Sequence, residues 1–194
     1  MTRFVFNTAP QIAVGAGYAL DLDSACARLN IRHPLLVTDK GLTGLGMIAP
    51  IAAALANHCE QVTIFDDVTA DPSESVVEGA LNTLLLNRCD GLIAVGGGSS
   101  MDVAKVVAVL AKGQQVLQEI YGVDQVTGGR LPMILVPTTA GTGSEVTPVA
   151  VITTGETTKA GVSSPVLLPD VAVLDAALTL GLPPTITAMT GIDA

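Results

Sequence analysis

Tryptophan is absent from this 194-residue chain, and aromatic residues make up only 3% of it. Platforms for stacking nucleic-acid bases are therefore scarce. Cations are scarce as well. Nine Lys and Arg stand against 18 Asp and Glu, a net charge of −9, so the basic patch that nucleic acid requires is missing. No apolar run reaches the roughly 18 residues that span a bilayer. The opening Met1-Thr2-Arg3-Phe4 carries no apolar signal region. The expectation is no nucleic-acid partner, no membrane partner and a cytoplasmic location. Cys26, Cys59 and Cys89 are odd in number and lack C-x-x-C spacing. They read as reduced, buried thiols rather than disulfides or a zinc knot. His33 and His58 are the only histidines. Neither falls in a metal-ligand motif, and both read as surface residues. Charged residues reach 14%, against about 25% in most soluble domains. Two explanations stand: a parallel sheet whose strands are apolar on both faces, or an apolar surface covered by a partner chain or further domain.

What is present is an alternation of strand and helix. Short strands are expected at Phe4 to Phe6 and Gln11 to Val14, a helix over Tyr18 to Leu29, and a buried strand over Pro34 to Val37 closed by Thr38 to Gly41. A helix through Ile48 to Ala56, a strand over Val62 to Phe65 and a helix from Ser73 to Asn87 follow. Gly91 to Val95 reads as a strand, Ser99 to Ala111 as a helix and Met133 to Val136 as a strand. Beyond Gly143, Val146 to Thr153 and Lys159 to Val162 read as a β-ribbon around a Gly155-Glu156 turn. Val171 to Leu174 reads as a strand, and Pro183-Pro184 opens a new helical segment. Strands separated by helices of this length imply βαβ units and a parallel sheet, with helices on both faces. Ligands of such sheets bind outside the carboxyl ends of the strands. The loops after Val37, Phe65, Val95 and Val136 are therefore the ones to watch.

Gly96-Gly97-Gly98-Ser99-Ser100 lies between a strand and a helix. Without Cβ atoms the backbone can approach a phosphate closely, and the following helix offers unpaired N–H groups and a positive dipole end. Ser99 and Asp102 have the spacing of a capping box. Alone, the loop also fits a tight strand-to-helix turn. It extends, however, into Met101-Asp102-Val103-Ala104-Lys105, and Pro137 to Thr147 reads Pro-Thr-Thr-Ala-Gly-Thr-Gly-Ser-Glu-Val-Thr. Leu182-Pro183-Pro184 is followed by Thr190-Gly191-Ile192-Asp193-Ala194. In order and spacing these three stretches resemble the signatures of the iron-containing (group III) alcohol dehydrogenase family.

The resemblance covers the whole chain and implies roles. Gly96, Gly97, Gly98, Ser99 and Asp102 match the pyrophosphate-binding stretch, and Thr138, Thr139 and Thr147 match the lining of the cofactor cleft. Asp39 matches an Asp that binds the adenosine ribose and repels a 2′-phosphate, so NAD is the expected cofactor. Lys159 matches a lysine that contacts the cofactor ribose, and Leu178, Thr179 and Leu182 match residues flanking the nicotinamide. Asp71 departs from the family pattern, which often has Asn before the proline; it reads as a neighbour of the helix that follows. Asp193 matches the first ligand of a divalent metal (iron, or zinc or magnesium) in the complete enzyme. One carboxylate does not hold such an ion, and no residue of this chain is assigned a catalytic role.

The implied fold is a Rossmann-like α/β parallel sheet with helices on both faces plus a β-ribbon. Residues 1–184 form the NAD-binding domain, with the ribbon in 146–175, and 185–194 begin a truncated all-helical metal-binding domain. The implied function is NAD-dependent interconversion of a primary alcohol and an aldehyde, with the isolated chain inactive and the family tending to homo-oligomers, dimers among them. Two alternatives remain: a glycerol dehydrogenase- or dehydroquinate synthase-like enzyme, or a non-catalytic dinucleotide-binding or subunit-interaction module.

Overall fold

The computed structural model describes residues 5–155 and 157–194, with the side chain of Asp193 outside the described set. In chain order the regular elements are β1 (Gln11–Val14), α1 (Asp23–Leu29), β2 (Pro34–Val37), α2 (Lys40–Gly44), α3 (Ile48–Leu55), β3 (Thr63–Phe65), α4 (Glu74–Leu86), β4 (Gly91–Gly96) and α5 (Gly98–Lys112). There follow β5 (Gly122–Val123), β6 (Met133–Pro137), β7 (Val149–Thr154), β8 (Thr158–Ser163), β9 (Val171–Leu174) and α6 (Pro184–Asp193).

Six strands pair in the order β1-β9-β6-β4-β2-β3, every neighbour parallel. The inner strands β2, β4 and β6 are buried along their whole length. Their side chains alternate between two cores, as the period of two requires. Leu35, Val37, Leu92, Ala94, Met133 and Leu135 pack with residues of α4 and α5. Leu36, Ile93, Val95, Ile134 and Val136 pack with residues of α1 and α3 on the other face. The sheet is thus covered on both sides, which accounts for continuous apolar strands and the low charge content.

Two carboxylates fix the amino ends of the strands. Asp90, before β4, accepts from the backbone N–H of His33 at 2.8 Å and of Arg32 at 3.0 Å, before β2. Asp170, before β9, accepts from the Met133 N–H at 2.8 Å and from Arg130 at 2.6 Å. Arg130 also donates to the Val166 and Leu168 carbonyls. At the opposite end, the buried carboxylate of Asp175 accepts from Ala19 N–H at 3.1 Å and Ala177 N–H at 3.0 Å.

A second, three-stranded sheet carries β7 antiparallel to β8, with β5 parallel to β8 on its far side. The expected ribbon is therefore present, although it starts later than Val146, because Ser144–Val146 closes a 3-10 turn. Glu156 of its turn lies outside the described residues.

Three other expectations change. The helix over Tyr18 to Leu29 is a 3-10 turn, Tyr18–Leu20, followed by α1. Asp175 takes the Ala19 N–H, and Asp21 departs from helical geometry with ψ at 52°. Val5 and Phe6 form no strand and are exposed, and Phe4 lies outside the described residues. His33 is half-buried rather than a free surface residue, its ring 3.2 Å from Glu60. The three cysteines are free and buried as expected. Among the described residues no helix is long and apolar enough to cross a membrane.

Ile93 lies in the middle of β4 with no exposed surface. Ile93→Ala should lower unfolding free energy by about 2–5 kcal/mol. Urea denaturation followed by circular dichroism checks this, with an unchanged midpoint as the contrary result.

Candidate functional site: two grooves meeting at a glycine loop

β3 lies on one side of β2, and the chain then returns to place β4 on the other side. Crossovers on either side of this reversal diverge, leaving a crevice at the carboxyl ends of β2 and β4. The four loops singled out by sequence all converge there. One groove, of about 550 Å³, is lined by residues 39–42 and 66–70, by Gly97 to Ser100, by Thr138 and Thr139, and by Leu182, Pro183 and Ile186. A second groove, of about 660 Å³, is lined by Asp71, Pro72, Asp102, Thr142, Ser144, Thr147, Val149, Val151, Thr153 and Lys159, again with Gly98 and Ser99. Gly98 and Ser99 line both grooves.

The loop explains its glycines. A Cβ on Gly96 would stand 2.5 Å from Ser100 Oγ, so Gly96 is a buried packing position beneath the groove. A Cβ on Gly97 would reach 3.4 Å from Thr139 Oγ1, and one on Gly98 3.2 Å from the Thr142 methyl. Here the chain leaves room between the loop and the threonines that face it. The expected capping box is not formed. No side chain caps α5, whose N-cap position is Gly97. Asp102 turns across to Ser144 Oγ at 2.5 Å and the Val151 N–H at 2.9 Å instead. The first-turn amides of a 15-residue helix therefore point at the groove without a side-chain partner. Thr139 Oγ1 is buried and also without a partner. Unpaired donors around a space free of Cβ atoms fit a phosphate-bearing ligand.

At the end of β2, half-buried Asp39 caps α2, with Oδ1 accepting from Leu42 N–H at 3.0 Å. A Cβ on Gly41 would lie 2.9 Å from that same oxygen. Asp66 and Asp67 stand nearby in the groove wall, Asp67 paired with Lys40 at 2.5 Å. In the second groove Lys159 pairs with Asp71 at 2.5 Å. Asp71 adopts φ 50°, in the left-handed region that Asp tolerates better than most residues. Its carbonyl accepts from Thr153, strapping the Asp71-Pro72 loop to the ribbon.

Of the residues named from sequence, Asp39, Gly97, Gly98, Ser99, Thr138, Thr139 and Leu182 meet in the first groove. Asp102, Thr147 and Lys159 meet in the second. Leu178 packs against the core, and Thr179 donates to the Ala176 carbonyl; neither lines a groove. Among the described residues no three His, Cys, Asp or Glu side chains gather as a metal site. The residue that went without a role is Lys105. It is fully buried and donates to Ser144 Oγ at 2.9 Å and the Val149 carbonyl at 2.7 Å, with Asp102 at 3.6 Å. Its place three residues after Asp102 within the glycine-loop stretch was the available signal. Burial pushes the Lys105 ammonium down to about 8, against the pull of Asp102 and Glu145. Burial also raises Asp102, against the pull of Lys105 and Ser144. For both partners, desolvation outweighs pairing.

A family model described as iron-containing alcohol dehydrogenase matches residues 9–176. The chain belongs to that family. A 4-hydroxybutyrate dehydrogenase from Cupriavidus necator is 44% identical over 89% of this chain and 46% of its own length. A solved 1,3-propanediol oxidoreductase superposes with a TM-score of 0.94 at 32% identity, covering 99% of this chain and 50% of that one. A sulfoacetaldehyde reductase from Bifidobacterium kashiwanohense, solved in complex with NAD+, superposes at 0.89 with 31% identity, covering 100% and 51%. The chain spans about half the length of the family members it matches.

The buried lysine makes stability depend on pH. Below about pH 8 both folded and unfolded chains hold the Lys105 proton. Between about 8 and the ordinary 10.5, only the unfolded chain holds it, so stability rises with pH in that window. Cys26, pushed up to about 12 by burial, acts in the opposite direction, but equally in parent and variant. The melting temperature of the parent, relative to Lys105→Met, should therefore climb from pH 8 to 10.5. Differential scanning calorimetry of both proteins would show parallel curves if the lysine were ordinary.

Proposed function

We propose that this chain is the dinucleotide-binding part of an NAD-dependent oxidoreductase that interconverts a primary alcohol and an aldehyde. The observation that carries the reading is the pair of grooves sharing Gly98 and Ser99. A dinucleotide has that form, two nucleoside halves joined by a pyrophosphate. On this reading the pyrophosphate sits at the shared loop, where the α5 amides and Thr139 Oγ1 lack partners. The adenosine half enters the first groove, where the second carboxylate oxygen of Asp39 accepts from the ribose hydroxyls. The nicotinamide half enters the second, beside Thr147 and Lys159. Nicotinamide supplies the hydride acceptor or donor. The residues of this chain bind it, orient it and exclude water from one face. Lys159 must turn from Asp71 to reach the ribose. An alcohol is the matching substrate class, as in the names of several relatives.

A metal is a separate matter. Asp193 falls in α6, its side chain lies outside the described residues, and a single carboxylate does not hold a divalent ion, so no step is assigned to a metal. The 194-residue chain should accordingly show no alcohol oxidation with added Fe(II), Zn(II) or Mg(II). Turnover measured by NADH absorbance would overturn this.

Cofactor choice is tested by calorimetric titration with NADH and NADPH. The parent should favour NADH by roughly tenfold or more, since a 2′-phosphate would face Asp39. Asp39→Ser keeps a helix cap and removes the charge, so the gap should narrow. Equal binding of the two cofactors by the parent would remove Asp39 as the selector, and no binding of either would sink the reading.

A further inference from the structure

The geometry points to Lys105 as a positioning residue for the nicotinamide half of the site, a role that rests on the dinucleotide reading above. Lys105 touches neither groove. Its ammonium lies behind the wall of the second one and holds three pieces of chain together. Ser144 Oγ accepts from Lys105 and donates to Asp102 Oδ1, while Asp102 Oδ2 accepts from the Val151 N–H. The Val149 carbonyl accepts from Lys105 directly, and Thr147 Oγ1 stands at 3.5 Å.

Every one of these links joins α5 to residues 144–151. Asp102, Ser144, Thr147, Val149 and Val151 all line the second groove, and none lines the first. Apart from the shared loop Gly97 to Ser100, the first groove draws on residues 39–42, Leu45, 66–70, 138–139, Leu182, Pro183 and Ile186, and the Lys105 ammonium hydrogen-bonds to none of these. The lysine therefore sets the separation between the helix beneath the pyrophosphate and the ribbon wall that receives the nicotinamide ribose. Without its amino group, Ser144 and the Val149 carbonyl lose their donor, and Asp102 is left without its cation, so the wall is free to shift.

A ligand pair separates the two grooves. ADP carries the adenosine and the diphosphate and needs only the first groove and the shared loop. NADH needs both grooves. In the full 194-residue chain, Lys105→Met should weaken NADH by roughly tenfold or more, as expected for lost hydrogen bonds to a charged group, while the ADP dissociation constant stays within about twofold of the parent's. Ser144→Ala cuts the same network with a smaller lesion and should show the same split at lower amplitude, which keeps the test open if Lys105→Met does not fold. A purely structural lesion would weaken both ligands together. Equal loss of NADH and ADP binding in both variants, or no loss of either, overturns the positioning role. A parent chain that binds neither ligand overturns the dinucleotide reading itself.

Discussion

Parallel strands cannot be joined by tight turns, so each connection in the main sheet must travel across a face before the next strand begins. In this chain the direction of travel reverses between β2 and β4. The helices on either side of the reversal are drawn apart, and the backbone at the strand ends is left facing a gap. All else at the site follows from filling that gap. The glycines let the backbone approach what enters it, α2 and α5 present their amino ends to it, and the threonines after β6 close it from the side.

Holding such a gap open in a small apolar protein calls for polar groups inside the structure. The chain places them in two ways. At the amino ends of the strands, Asp90 and Asp170 take backbone N–H groups and remain partly in contact with water. Behind the ribbon, Lys105 is buried and Asp102 largely so, and burial shifts both toward their neutral forms. A buried ion pair contributes little net stability when compared with apolar packing. Both partners sit on α5, and their hydrogen bonds to Ser144, Val149 and Val151 tie that helix to the ribbon.

Much of this could be read from the residues alone. The apolar runs Pro34 to Val37, Gly91 to Val95 and Met133 to Val136 announced buried parallel strands, and they are the inner strands β2, β4 and β6. The loops after them announced the crevice. Asp39, Gly97, Gly98 and the Thr138-Thr139 pair, named from the sequence, line one groove. The misses have physical causes. Tyr18 to Leu29 has helical spacing, but Asp21, with ψ at 52°, divides it into a 3-10 turn and α1. Ser99 and Asp102 have capping spacing, but Asp102 finds better partners in Ser144 and Val151. Lys105 drew no role from the sequence because its partners Ser144 and Val149 lie 39 and 44 positions further along the chain. At Asp102 a pair of long-range hydrogen bonds overrides a local preference.

The pairing of β1 has a consequence for how the chain is made. Gln11 of the first strand is registered against Val171 of the last strand. At ribosomal rates of about 5–20 residues per second, β1 waits on the order of 10 s before its partner exists. During that time its Ile12 and Val14, still partly exposed in the finished fold, present an unpaired edge to the surrounding solution. The strands from β2 to β6 can meanwhile assemble from contacts nearer in sequence. Synthesis therefore builds this sheet from the crevice outward, and the strand that is translated first is the last to be hemmed in.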